Sequence, residues 1–199
     1  MKPAVVIVPG NFSLSRFWST IQQSVQDKGY PVEVVGLKSS REETIDPAPG
    51  LADDVKEASA VLNRHIDQGK DVVLLMHSYG GMGDYLVCDE DTAMCFYSEL
   101  TKEQGLPLAQ AASHVYQAAR VFGDEQTYDG FHKLIPSSWI LTKKDVLVPE
   151  AAQRMFVARL EKQGGRSVPV VELDTGHSPH QTNPPLLMDT LEKILERLS

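Results

Sequence analysis

MHSYGG, Met76 to Gly81, leaves the apolar run Val72 to Met76 through a histidine, a serine, a tyrosine and two glycines. A turn needs glycine where the backbone becomes left-handed or where a second backbone comes very close. A strand that ends in a sharp turn and then starts a helix holds the serine in a strained conformation with its hydroxyl exposed. Ser78 therefore belongs beyond the carboxyl end of a strand, where open α/β sheets bind their ligands.

The rest of the chain supplies such a sheet. Short β-branched runs alternate with amphipathic segments, the pattern of parallel strands joined by crossover helices, so the expected class is α/β with a mostly parallel central sheet flanked by helices. Strands are expected over Ala4 to Val8, Val32 to Leu37, Asp71 to Met76, Ser138 to Thr142 and Val168 to Leu173. Strands this apolar on both faces belong under helices. Ser15 to Lys28 places Phe17, Trp18, Ile21 and Val25 on one helical face and stops at Gly29. Leu51 to Gln68 stops likewise at Gly69. Both glycines suit left-handed caps. Helices Pro149 to Gln163 and Pro184 to Leu198 follow. Between Gly83 and Pro136 two helical stretches, Glu90 to Leu100 and Pro107 to Val121, precede the loop GDEQTYDGFHK. One domain over 1–199 is expected, with 84–135 as a small helical cap.

Composition narrows the partners. The chain has 199 residues, with 19 Lys+Arg against 27 Asp+Glu for a formal charge of -8. No basic stripe is available to meet nucleic-acid phosphates or an anionic membrane, and a small-molecule partner fits better. Cys88 and Cys95 are the two cysteines. They lack a CxxC spacing, which points to reduced thiols in the cytoplasm. MKPAVVIVPG closes its apolar run too early for a signal core, and no stretch approaches membrane-spanning length.

An elbow serine is a weak nucleophile until a base takes its proton, so a histidine and a carboxylate are needed at the ends of later strands. His177, in DTGHSPHQTNPP, follows the last strand, and Gly176 beside it suits a tight turn that presents the ring. His180 is the competitor. His77 points toward neighbouring packing, and His65, His114 and His132 read as ordinary surface or core residues. Asp145, in LTKKDVLVPE, leaves the fourth strand and gives the chain order Ser, Asp, His. Its rival Asp174 is better suited to fixing its own turn. The turn VPGN after the first strand offers the backbone N–H of Asn11 which, with that of Tyr79, would hold an oxyanion. Phe96-Tyr97, Val115-Tyr116 and Phe122 read as core or cap packing.

Four ordered blocks, VIVPGNFSLSRFW, VVLLMHSYGG, WILTKKDVLVPEAAQRM and LDTGHSPHQTNPP, resemble the α/β-hydrolase superfamily and, within it, the small esterase-like group that includes plant methylesterases and hydroxynitrile lyases. The resemblance runs from Ala4 to Leu198. It implies a serine hydrolase acting on an ester or related acyl bond of a small molecule, with Ser78, His177 and Asp145 as triad and neither metal nor cofactor. The alternatives are a lyase or C–C bond-cleaving enzyme on the same triad, or an impaired homologue acting as a binding protein. Pro9 stands where relatives commonly have histidine, and Met76 where the elbow commonly has glycine. A strand and a helix that relatives carry after the elbow are missing as well. That loss predicts that the strand at Ser138 closes up beside the strand at Asp71, or that a second copy covers the gap as a homodimer.

Overall fold

The computed structural model describes residues 2–78, 85–86, 88–124 and 134–198. β1 (Ala4–Val8) lies between β2 (Val32–Val34) and β4 (Val72–Met76), all parallel, with Val5 opposite both Val32 and Val73. A second parallel pair joins β7 (Trp139–Thr142) to β8 (Val170–Leu173). Two short strands observed in the cap region were not expected. β5 (Tyr85–Leu86) and β6 (Tyr116–Ala118) make an antiparallel sheet with β3 (Ser40–Arg41), in the order β3-β6-β5.

Two layers cover the main sheet. α1 (Ser19–Asp27), after a 3₁₀ turn at Ser15–Trp18, and α7 (Pro184–Leu198), which follows the short α6 (Pro179–Thr182), share one face. Trp18, Ile21 and Val25 meet Leu187, Met188, Leu191 and Leu195 there, over Val5, Ile7, Val73 and Leu75 and also over Ile140 and Leu173. This layer therefore runs under both parallel sheets. On the opposite face α2 (Leu51–Ile66) packs Val61, Ala58 and Leu62 on Val6, Val35 and Val72. α5 (Glu150–Gly164) covers the β7–β8 pair, with Phe156 6.3 Å from Trp139 between ring centroids. Gly29 and Gly69 close α1 and α2 at φ 77° and 70°, in the left-handed region where a Cβ is costly.

The gap does not close. Among the described residues β4 pairs with β1 and β7 with β8, and no ladder joins the two sheets. The expected pairing of the Ser138 and Asp71 strands gives way because the α1–α7 layer is packed continuously under both halves. Sliding one half toward the other would break that layer's register with the strands above it. Nor is β4 covered on both faces. Val73 and Leu75 face the α1–α7 core, but Leu74 is 39% and Met76 55% exposed. Water reaches this end of the strand, so its free backbone groups are not the buried orphans that would force closure.

The cap combines α3 (Glu90–Ala93), a 3₁₀ turn at Met94–Tyr97 and α4 (Lys102–Ser113). α4 starts ahead of the expected Pro107 because Thr101 and Gln104 cap it reciprocally, Gln104 N donating to Thr101 Oγ1 at 3.4 Å. It ends at Ser113, and the β-prone residues from Tyr116 form β6 instead of a longer helix. The cap is thus helical and sheet-bearing, not helical alone.

Candidate active site

The two sheets and the cap meet at the carboxyl ends of β1, β4, β7 and β8. Ser78 follows β4 with φ 41°, and Phe12, in the turn after β1, has φ 52°. Left-handed non-glycine residues are strained and gather at functional sites. Gly10 explains how the two turns coexist. A Cβ there would lie 2.8 Å from the His77 carbonyl oxygen and 2.9 Å from Ser78 Cβ, so only glycine lets the turn after β1 pass the elbow. Asn11 is the next residue of that turn. Buried Gln117 of β6 holds it from the cap side, its Oε1 accepting from Phe12 N at 3.3 Å and from Ser40 Oγ at 2.6 Å. Tyr79, the other expected oxyanion donor, lies outside the described residues, as do Gly80, Gly81 and His132.

Asp145 and His177 come together. His177 Nδ1–H donates to Asp145 Oδ2 at 2.8 Å, with both residues buried. The other carboxylate oxygen accepts from Leu147 N and Val148 N, each at 2.9 Å, and Thr142 Oγ1 donates to Oδ2 at 3.2 Å. Burial pushes this carboxyl up. The hydrogen bonds from His177, Val148 and Leu147 and the attraction of the His177 ring outweigh it, and the acid sits below its ordinary value. The acid loop is fixed from α5, where Gln153 Nε2 donates to the carbonyls of Thr142 at 2.9 Å and Val148 at 2.8 Å. Gln153 carries no sequence signal for this role, because a lone glutamine in an amphipathic helix reads as a solvent-facing residue.

Asp174 is elsewhere. It is exposed and pairs with Lys144 Nζ at 2.9 Å. His180 is stacked on Trp18, ring centroids 3.9 Å apart and planes within 2°, and neither of its buried nitrogens has a hydrogen-bond partner. His77 lies 5.0 Å from both His177 and His180 between centroids, and its Nε2–H donates to the His177 carbonyl at 2.7 Å. The expectation that His77 serves packing alone is incomplete. Phe96 from the cap stands 5.9 Å from the His177 ring, and Tyr97 OH donates to Gln181 Oε1 at 3.0 Å. Phe12, Phe96, Tyr97, His77 and His180 line a cavity of about 10 Å³, room for roughly one water. Among the described residues no cluster of three or more His, Cys, Asp or Glu could hold a metal ion, and no helix is long and apolar enough to cross a membrane.

The neutral imidazoles make stability depend on pH. Desolvation, with repulsion from His177, lowers His77 to about 4, and desolvation also carries His180 well below its ordinary value. Between about pH 6.5 and 4 the unfolded chain binds protons at these positions that the folded chain refuses, so stability falls as the pH falls. For His77 the span from 6.5 to about 4 corresponds to about 3 kcal/mol, and His180 adds in the same direction. Urea unfolding at pH 7, 6 and 5 measures this slope. H180F, which keeps the stack on Trp18 without the titration, makes it shallower. An unchanged slope would refute the assignment.

Comparison with known proteins bears on the fold. No family model matches the chain. A probable hydrolase, R7, from Phoma sp. is 23% identical, over 97% of this chain and 98% of that protein. Their alignment runs over 246 positions, more than the 199 residues available here, so the relative has residues with no counterpart in this chain. An extracellular α/β-hydrolase from a Paenibacillus species superposes with a TM-score of 0.72 at 13% identity, over 96% of this chain and 98% of that one. A variant of polyneuridine aldehyde esterase gives 0.72 at 13%, over 97% and 99%.

Proposed function

The chain has the α/β-hydrolase fold, shared with esterase-like proteins, and on that premise we propose that it is a serine hydrolase cleaving an ester or related acyl bond of a small organic molecule. The observation that carries this reading is the buried Asp145–His177 hydrogen bond at 2.8 Å, together with the strained Ser78 that follows β4. Ser78 Oγ attacks the acyl carbon and His177 takes its proton. Asp145 holds the Nδ1–H tautomer, leaving Nε2 free to accept, and stabilises the imidazolium that forms. The backbone N–H groups of Asn11 and Tyr79 receive the oxyanion, and His177 then returns the proton to the leaving alcohol. Water repeats the sequence on the acyl-enzyme. Phe96 and Phe12, 6.2 Å apart between centroids, offer an apolar approach to His177 for the substrate's organic part.

A fluorophosphonate probe tests the nucleophile and a panel of small acyl esters tests the reaction. Covalent labelling with turnover of at least one ester is expected. Labelling without hydrolysis would favour lyase chemistry on the same residues, and the absence of both would favour a binding protein. The pH profile is a second check. An imidazole base works only when neutral, so turnover rises as the pH rises. Asp145 sits below the ordinary carboxylate range and His77 at about 4, so the rise follows a single ionisation. A two-proton slope in kcat would mean that a second group gates the step.

A further inference from the structure

Ser78 and the Asp145–His177 pair stand on different sheets. Ser78 follows β4 of the three-stranded sheet, while Asp145 and His177 follow β7 and β8 of the two-stranded one. The acid and the base are fixed to each other within their own half, because Lys143 N donates to the Leu173 carbonyl and Lys144 N to the Thr175 carbonyl, both at 2.9 Å. Among the described residues no ladder fixes that half against β4. In a continuous sheet, hydrogen bonds from strand to strand set such a register to a fraction of an ångström. Here it must come from elsewhere.

At the catalytic end, a side-chain hydrogen bond spans the divide. His77, the residue before the nucleophile, donates from Nε2 to the main-chain carbonyl of His177, the base itself, at 2.7 Å. His77 is in turn tied to β1, its N–H donating to the Val8 carbonyl at 3.1 Å. Its ring is gripped edge-on by Trp18 at 5.5 Å and His180 at 5.0 Å. The ion pair of Lys28 with Glu192 at 2.9 Å, between α1 and α7, lies at the far end, where Lys2 Nζ donates to the Lys28 carbonyl, and cannot set the register at Ser78. We propose that His77 is a positioning residue that sets the register between the nucleophile and the acid–base pair across the divided sheet. The proposal rests on the serine-hydrolase reading.

His77→Leu removes the donor and leaves the His177 carbonyl unpaired. His77→Gln keeps a donor at the place of Nε2, and His77→Asn carries the same amide one methylene too short. The rate of fluorophosphonate labelling at Ser78 is expected to fall about 100-fold in H77L and in H77N, the cost of a misplacement of about 1 Å, and to recover to within about fivefold of wild type in H77Q. Ester kinetics should show the loss in kcat with KM nearly unchanged. The far-downfield proton NMR signal of the His177–Asp145 hydrogen bond should persist in H77L, because that pair lies within one half. H77L and H77N labelling at the wild-type rate, H77Q as slow as H77N, or loss of the downfield signal would each overturn the proposal. If H77L does not fold, the contrast between H77Q and H77N decides alone. A wild-type protein that does not label would instead remove the serine reading, and this proposal with it.

Discussion

Ser78→Ala is expected to abolish fluorophosphonate labelling and to lower ester turnover by about 10⁶, the loss seen when a serine triad loses its nucleophile. The fold should survive. Ser78 is exposed and already carries a Cβ at φ 41°, so alanine places no new atom against Gly10. Removing Oγ leaves the Asp145–His177 hydrogen bond and the His77 link untouched, because neither uses the serine hydroxyl. Circular dichroism and the unfolding midpoint should match wild type. A variant that labels or turns over like the wild type would show that another residue attacks. Residual hydrolysis at a small fraction of the original rate would fit direct water attack in a site that still holds the oxyanion.

Much of this candidate site was legible in the sequence because the proposed chemistry demands particular residue types at strand ends. A serine between Val72–Met76 and two glycines, an aspartate after Trp139–Thr142 and a histidine after Val170–Leu173 each sit where a parallel sheet presents side chains. Apolar periodicity likewise located α1, α2, α5 and α7, whose buried stripes are long enough to read. What escaped lacks such a signal. Strands of two or three residues such as Ser40–Arg41 and Tyr85–Leu86 have no period to detect, and their pairing with Tyr116–Ala118 is set by long-range contacts. Gln153, Gln117 and His77 act through single hydrogen bonds to the main chain, for which glutamine and histidine are not diagnostic.

The shortening relative to the hydrolase relative was legible in the sequence, but its consequence was not. The expectation treated backbone pairing as the deciding term. The structure shows side-chain packing deciding instead. Trp18, Ile21 and Val25 with Leu187, Leu191 and Leu195 form one layer beneath both sheets and keep the halves apart. Leu74 and Met76 are left facing solvent on β4 as a result. A divided sheet can still present an acid and a base in register, because β7 and β8 carry both. In the proposed triad only Ser78 has to be brought to them.

Asp145→Asn is the sharper test of that acid–base pair. Asparagine keeps an oxygen for the Leu147 and Val148 N–H groups, so the loop after β7 should stay in place. The amide cannot accept on both sides, however. Where Asp145 Oδ2 now receives the His177 Nδ1–H, an NH₂ group would face the ring and favour the opposite tautomer, with the proton on the nitrogen that accepts from Ser78 in the proposed mechanism. In a triad this change lowers kcat by about 10⁴ with little structural disturbance. Asp174→Asn should leave turnover within about threefold, since its exposed partner Lys144 contributes only a surface ion pair. Measuring kcat for both variants on one ester, beside their labelling rates, separates the two carboxylates. If Asp174→Asn proved the more damaging, Asp174 would take the place of Asp145 as the group that orients His177, and the 2.8 Å hydrogen bond would be a structural contact only.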